Sequence, residues 1–562
     1  MILAYVKNII KLTSLSKLAF FVIILITFLI SLSEIISLGL FQSILISILD
    51  KNITINNNFL NFLRNIFLTK FEESYLSYLI IFFVFFYFLK NLVTVFFNFI
   101  FFRFIEKKHY LMNKKFLQIL INIKYLDLLK NKNTFYSQIL SRYIDNFIKN
   151  ILGSLIRIFS ESIFIFVVFV YLLTINFKIV VLVLFFLVSF IFIYNSTIKK
   201  YLKKNSEKIS LAEETLKFNI YEYIKNYREI FLYKLNNIIF SNLDLISKNY
   251  VKYERRYLFV GSVTKYIFEI FIIFFLSFYI LSTIDQNELT YDFSSIITIS
   301  FALLKLLPSF NIINNGVIQI NQHYYSIKII NEYFNSPQAL LNQSIKIKKD
   351  NSNNKLERIV VKNITFSYDK KKNIFQNLSF QSKRGDIIHV EGISGSGKST
   401  LLDLLSNIIQ PNSGSINFYD QNNEKITNFN DFSYVGQNPN LFNATLKYNI
   451  SLGNKYIDDK ILMRMIQEVD MNLDTDLKNI LDYEILEDGK NLSGGQKQKL
   501  SVIRTIAQNT QVILFDEITS GLDKASSDVI LNLIYKIKKE KIIFFVSHKE
   551  DIKFDNKISL IN

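Results

Sequence analysis

Gly392-Ile393-Ser394-Gly395-Ser396-Gly397-Lys398-Ser399-Thr400 is the stretch on which the reading of this chain turns. It has the form G-x-x-x-x-G-K-S. Ile387–Glu391 before it has the composition of a buried strand, and the residues after it that of a helix. Strand, glycine loop and helix in that order are the context in which the pattern has a physical meaning. Gly392, Gly395 and Gly397 let the backbone N–H groups curl around phosphate oxygens at a helix N-terminus, whose dipole favours negative charge. The whole loop, with Ser394, Ser396 and Thr400, is therefore assigned to a nucleoside triphosphate. Lys398 reaches the β- and γ-phosphates, and the Ser399 hydroxyl is a Mg²⁺ ligand.

Working outward, the apolar run Val512–Phe515 ends in Asp516-Glu517. Asp516 is placed to hold Mg²⁺ through water, and Glu517 is the candidate general base for the water attacking the γ-phosphate. His548 follows the next strand, Ile542–Val546, where it could sense or polarise that phosphate. Alternation of short β-type runs with helices from residue 357 onward predicts an α/β domain over 357–562.

The preceding residues are of another kind. The chain has 562 residues, half of them hydrophobic, with 15 Gly, four Pro and neither Cys nor Trp. Its mean hydropathy is +0.25. Disulfides and Cys-based metal sites are excluded. The net charge of +18 admits nucleic-acid binding. In so apolar a chain the accumulation of Lys and Arg on cytoplasmic loops is the better explanation, and no nucleic-acid partner is expected.

Six apolar runs near the length needed to cross a bilayer, about 20 residues, are predicted at 18–42, 76–104, 150–174, 177–197, 256–283 and 291–315. Lys7, Lys11 and Lys17 precede the first and place the N-terminus in the cytoplasm; no small-residue cleavage site follows that run. Arg103, Lys107, Lys108, Lys114 and Lys115 follow the second, and Lys199, Lys200, Lys203 and Lys204 the fourth. Asp285, Glu288 and Asp292 lie outside, between the fifth and sixth. The chain thus returns to the cytoplasm, where nucleotide is.

Long helical cytoplasmic connections, 105–149 and 198–255, are expected to turn back through short transverse helices near Asn131–Tyr136 and Tyr221–Arg228. Phe59, Phe62, Leu63, Ile66 and Phe67 share one face of a short helix, against the spans or on the outer membrane surface. Charges inside spans must pair or face a cavity. Arg157/Glu161 and Lys265/Glu269 are four apart and can neutralise each other. Glu34, Lys90 and Lys305 have no partner on their own helix and are the candidates for a polar substrate pathway. Pro308 is expected to kink the sixth span.

Together these motifs resemble the ATP-binding cassette (ABC) transporters of exporter type: a membrane α-helical domain of six transmembrane helices fused to an α/β P-loop ABC ATPase domain. On that resemblance Tyr368 stacks on adenine, and Gln437, in Val435-Gly436-Gln437-Asn438, links Mg²⁺ to the membrane domain. Leu492-Ser493-Gly494-Gly495-Gln496 matches the family signature, which contacts the γ-phosphate held by a second subunit. Ser520-Gly521-Leu522-Asp523 matches the segment across the dimer interface, with Gly521 where Ala is usual. Glu487-Asp488-Gly489 resembles the exporter segment that meets the transverse helices. With Glu517 and His548 both present, the resemblance implies a homodimer with two competent sites.

Three shorter stretches resemble the lipid-linked oligosaccharide flippase of bacterial protein N-glycosylation: Glu34 in span one, Leu303–Ser309 in span six, and the Phe59–Phe67 segment. The organisation expected is therefore a transmembrane domain over 1–341, a linker over 342–356 and an ATPase over 357–562. The function expected is ATP-driven export or flipping of a lipid-linked or amphipathic cargo across a bacterial cytoplasmic membrane. An exporter of peptides or hydrophobic small molecules is the alternative. An ATP-gated channel or membrane sensor is another.

Overall fold

The computed structural model describes residues 17–49, 75–129, 133–175, 177, 205–283, 289–334, 355–368, 372–473, 477–547 and 552–560. The Phe59–Phe67 segment, most of the fourth predicted span, Asp285, Glu288, the linker up to residue 354 and His548 lie outside the described residues. The chain divides into two units, one of residues 1–123 and 131–344, the other of residues 124–130 and 345–562.

The first unit is helical throughout its described residues. Its helices are α1 (Lys17–Leu49), α2 (Tyr75–Ile121), α4 (Asn133–Gln138), α5 (Gly153–Ile175), α6 over 205–225, α7 (Tyr227–Leu232), α8 (Asn236–Thr283), α9 (Leu289–Gln322) and α10 (Tyr324–Phe334). Stretches of α1, α2, α4–α5 and α9 are each long and apolar enough to cross a membrane: Phe21–Leu45, Leu76–Ile121, Phe135–Thr174 and Ile297–Gln322. These four contain the second and third predicted spans and most of the first and sixth. The fifth lies within the 48-residue helix α8.

The core of this unit is where α1, α5 and α9 meet. Leu38, Val168, Leu172, Ala302 and Leu306 are buried together there. The Tyr171 hydroxyl donates to Gln42 Oε1 at 2.9 Å, so even its polar tip is satisfied inside. α2, by contrast, exposes Ile81, Phe85, Phe88, Val95 and Phe99. An exposed apolar face of that length suits lipid contact. α9 remains helical through Pro308.

Between α4 and α5 the backbone winds as two π-helical segments, Ile139–Tyr143 and Asn146–Leu152. Wider i→i+5 turns of this kind are rare and gather at functional places. Here the buried Phe147, Ile148, Ile151 and Leu152 hold the second segment in place.

The second unit carries two main sheets. β1 (Leu356–Phe366), β2 (Phe375–Lys383), β4 (Ser413–Asp420) and β5 (Lys425–Ile426) form an antiparallel sheet in the order β2-β1-β4-β5. β3 (Ile387–Glu391), β6 (Phe432–Val435), β9 (Val512–Asp516), β10 (Ile542–Val546) and β11 (Asn556–Ser559) form a parallel sheet in the order β11-β3-β10-β9-β6. Every residue of β9 and β10 is buried. Both read as continuous apolar runs because a parallel strand covered on two faces has no solvent side. A separate helical core gathers Leu446, Ile450, Leu462, Ile485, Leu492, Leu500 and Ile503.

Residues 124–130 come from the first cytoplasmic connection, yet they cluster with the second unit. Within them lies the five-residue helix α3 (Tyr125–Leu129), and Leu126 packs on the core of the sheets. This corrects the expected position of the first transverse helix. Asn131–Tyr136 was assigned that turn, but Asn133–Tyr136 already belongs to the returning helix α4. The apolar residues Tyr125, Leu126 and Leu128 lie in a helix that begins six positions earlier. The second expected turn, Tyr221–Arg228, overlaps a real break: the chain leaves α6 at Asn226 and forms α7.

Candidate functional site

The phosphate loop leaves β3 in the parallel sheet and enters helix α11 (Lys398–Leu405). Sterics explain two of its glycines. A Cβ on Gly397, whose φ is 96°, would stand 2.5 Å from Ile374 Cγ2. One on Gly392 would stand 2.4 Å from Ser396 Oγ. Ser394 and Gly395 are exposed at the loop's crest, while Ser396 and Thr400 are buried beneath it. The Lys398 ammonium folds across the loop, donating to the carbonyls of Gly392 at 2.9 Å and Ile393 at 3.3 Å.

β9, two strands away from β3, brings Asp516 to the same place. The Ser399 hydroxyl donates to Asp516 Oδ2 at 2.7 Å, and the Tyr434 hydroxyl lies 3.4 Å from the same oxygen. A hydroxyl and a carboxylate beside a phosphate loop form a hard oxygen donor set, which fits Mg²⁺. Burial, reinforced by the nearby Asp516 charge, pushes the Asp403 carboxyl above the usual range. Burial and the same charge raise the Tyr434 hydroxyl.

Glu517, the next residue, holds a left-handed backbone at φ 54°. Its N–H donates to the Val546 carbonyl at 3.0 Å, tying the turn to β10. The Gln437 amide donates to Glu517 Oε2 at 2.8 Å. Sequence reasoning placed Gln437 and Glu517 in one site; the bond between them adds that the amide orients the carboxylate. Tyr368 is 51% exposed beside the loop, packed edge-on against Phe366 with its hydroxyl 3.3 Å from Thr400 Oγ1. An open aromatic face in that position suits a nucleobase.

The signature belongs to the other core of this unit. Leu492 is buried in the helical cluster, whereas Ser493 and Gly494 are exposed. Ser493 caps helix α14 (Gly494–Ala507) and forms a reciprocal capping box with Gln496. Gly494 has nothing within 4 Å of the place a Cβ would take, and Gly495 meets Leu522 at 3.4 Å. Asp523 caps helix α15 (Lys524–Ile537), and hydrogen bonds from Ser526 hold its carboxyl below the usual range. Phosphate loop and signature thus stand on separate cores of one unit, each with an exposed polar face.

In the first unit, Glu34, Lys90 and Lys305 find one another across three helices. Lys90 Nζ lies 2.6 Å from Glu34 Oε1, and Lys305 Nζ lies 2.8 Å from Oε2. Ser37 donates to the same carboxylate at 2.8 Å, and Lys305 donates to Ser37 at 3.1 Å. Both ammoniums also lie over the Tyr87 ring, at 4.1 and 5.2 Å. Charges that lack a partner on their own helix have one on a neighbouring helix. Three lone charges in three neighbouring spans were the signal for this. Arg157 does more than face Glu161, whose carboxylate its charge acts on. Its guanidinium also lies over the Phe101 and Phe102 rings, at 5.3 and 5.6 Å. The side chain of Lys265 falls outside the described residues. Sequence reasoning also missed Asp403, Tyr434 and the Tyr125–Leu129 helix; none stands in a spaced motif.

With this geometry in view, comparison with known proteins is direct. Over 97% of this chain and 93% of the other, the structure superposes with TM-score 0.75 and 18% identity on a bacterial Atm1-family ABC exporter with ATP bound. The fold is that of an ABC exporter. The ABC transporter family profile matches residues 375–520, which lie within the second unit. A lactococcin-G-processing and transport ATP-binding protein of Lactococcus lactis is 29% identical over 407 residues, 68% of this chain and 54% of that protein. An ATP-dependent lipid A-core flippase of Photorhabdus laumondii is 26% identical over 340 residues, 58% of this chain and 56% of the flippase. A probable ABC transporter ATP-binding/permease protein of Haemophilus influenzae is 34% identical over 202 residues, 35% of this chain and 36% of that protein. The matches of this exporter fold cover from 33% to 63% of the curated relatives' own lengths.

Proposed function

We propose that this chain is an ATP-driven exporter that works as a homodimer by alternating access, and that its cargo is a lipid-linked oligosaccharide or a related glycolipid. The observation that carries the engine is the pairing of a complete phosphate loop with an exposed signature on a different core of the same unit. Each needs the other to enclose a nucleotide, and a second copy supplies it with C₂ symmetry.

Within each composite site, the loop N–H groups and Lys398 hold the phosphates. Glu517, oriented by Gln437, takes the proton of the attacking water, and His548 reads the γ-phosphate. A Mg²⁺ held by Ser399 and Asp516, with Gln437 beside it, would neutralise phosphate charge. Ser493, Gly495 and Asp523 of the second copy close the site. Closure is transmitted to the six spans of each chain through the segment at 124–130 and through α7, whose Tyr227, Phe231 and Leu232 are exposed. The ATPase faces the cytoplasm and the spans lie in the cytoplasmic membrane of a bacterium.

The cargo reading is supported by the flippase relatives and by the span-one and span-six segments around Glu34 and Lys305. Glu34, Lys90 and Lys305 border the polar pathway as a paired cluster. Peptide export is the second reading, favoured by the lactococcin-G relative, which matches the larger part of this chain. Purified protein in liposomes distinguishes them. ATP-dependent flipping of a labelled polyprenyl-diphosphate glycan, with ATPase stimulated by that lipid and not by peptides, is the expected result. Stimulation by peptides alone contradicts it.

A further inference from the structure

We infer that a cavity on the cytoplasmic side of the membrane helices, built around Arg157, binds the phosphate group of an amphiphile at its headgroup. The inference deepens the glycolipid reading and rests on it for the identity of the natural ligand.

The cavity has a volume of 460 Å³ and lies where α2, the second π segment with the start of α5, and α9 converge. Phe101 and Phe102 line it from α2, Asn150 and Arg157 from the π segment and α5, and Asn315 and Gln319 from α9. The two rings carry the exposed Arg157 guanidinium on their faces. That contact fixes the plane of the side chain while its N–H donors remain able to grip two oxygens of a phosphate. Opposite, the Asn150 and Gln319 amides are tied to His323 at 3.2 and 3.1 Å, which leaves the Asn150 carbonyl oxygen, the Gln319 amide nitrogen and the Asn315 side chain to meet hydroxyls. Asn315 and Gln319 also line a second cavity of 250 Å³, so a polar headgroup has room beyond the phosphate.

The π winding is the independent sign that this face is built for something. The Gly153 N–H donates to the Ile148 carbonyl, five residues back, instead of to Lys149. The segment that pays for that irregularity is the one that presents Asn150 and leads to Arg157. Gly316, across the junction, leaves no room for a Cβ: it would stand 2.8 Å from Ile158. The helices therefore meet closely just beside the cavity.

Position argues for a lipid phosphate over a free one. Phe101 and Phe102 are followed by Arg103, Lys107 and Lys108, so the cavity straddles the boundary between apolar span and basic cytoplasmic flank. Headgroups of anionic lipids lie at that depth. The Glu34–Lys90–Lys305 cluster is a different place. Lys90 to Phe101 and Lys305 to Gly316 are both eleven residues, about 16 Å along a helix. Lys149 also lines the cavity but is held at 2.5 Å by Asp145, and Glu106 lines it as a carboxylate that opposes an anion.

The test uses the full-length protein in nanodiscs doped with dioleoyl phosphatidic acid or, as the phosphate-free control, dioleoylglycerol. Lipid retained by the protein is counted by native mass spectrometry. Wild type should retain phosphatidic acid over dioleoylglycerol, Arg157→Ala should lower that retention about tenfold, and Arg157→Lys should restore part of it. Glu106→Gln should raise retention a few-fold, a gain that misfolding cannot produce. Equal retention by wild type and Arg157→Ala overturns the site. Full displacement of phosphatidic acid by millimolar inorganic diphosphate overturns the lipid and leaves a soluble anion. Failure to flip a glycolipid with Arg157-dependent retention intact removes the cargo reading alone. Flipping that proceeds unchanged in Arg157→Ala removes the cavity alone.

Discussion

Glu517 shows how surrounding structure can hold a single residue in a strained place. A left-handed backbone at a non-glycine residue costs on the order of 1 kcal/mol, and such strain persists where surrounding structure enforces it. Here the enforcement is the N–H bond to Val546 and the Gln437 amide on the carboxylate. Glu517→Gln should keep ATP binding and lower ATPase about 10²- to 10⁴-fold, measured as phosphate release beside nucleotide binding. Undiminished turnover would remove Glu517 as the base. Glu34 is the second test at this scale. Its side chain is 18% exposed and shares its one negative charge between Lys90 and Lys305, which are 4% and 14% exposed. Glu34→Gln leaves two buried ammoniums facing each other and should cost about 3–5 kcal/mol. Adding Lys90→Met should recover part of that loss in thermal unfolding. If the single variant is as stable as wild type, the cluster holds nothing together.

At the scale of elements, legibility followed how local the physics is. The phosphate loop was readable because strand, glycines and helix are contiguous from Ile387 to Leu405. β9 and β10 were readable because burial on both faces writes an unbroken apolar run. The helix Tyr125–Leu129 was not, because what stabilises it is a surface hundreds of residues away: Leu126 needs the sheet core, and Tyr125 lies near Asp403 and Tyr368. The pairing of the lone charges in the spans was not legible for the same reason, since their partners are on other helices. The π segments were invisible too, because their sequence keeps ordinary helical composition. A direct consequence concerns α3. Leu126→Asp should place a carboxylate against the apolar sheet core, leave ATP binding in place and reduce cargo-stimulated ATPase several-fold. Full stimulation in that variant would deny the segment a part in coupling.

At the scale of the whole molecule, the central claim is that the phosphate loop of one copy and the signature of another make one site. The sequence supplies an unusual convenience, because the chain has no Cys of its own. Ser394 is exposed on the loop, and Gly494 has open space around it at the signature. The most direct measurement is therefore disulfide formation in the double variant Ser394→Cys, Gly494→Cys, carried on the Glu517→Gln background with MgATP and a mild oxidant. The account predicts a cross-linked species of twice the chain's 66.1 kDa that depends on nucleotide and on both cysteines. Oxidation that leaves only monomers, with MgATP bound, would contradict it.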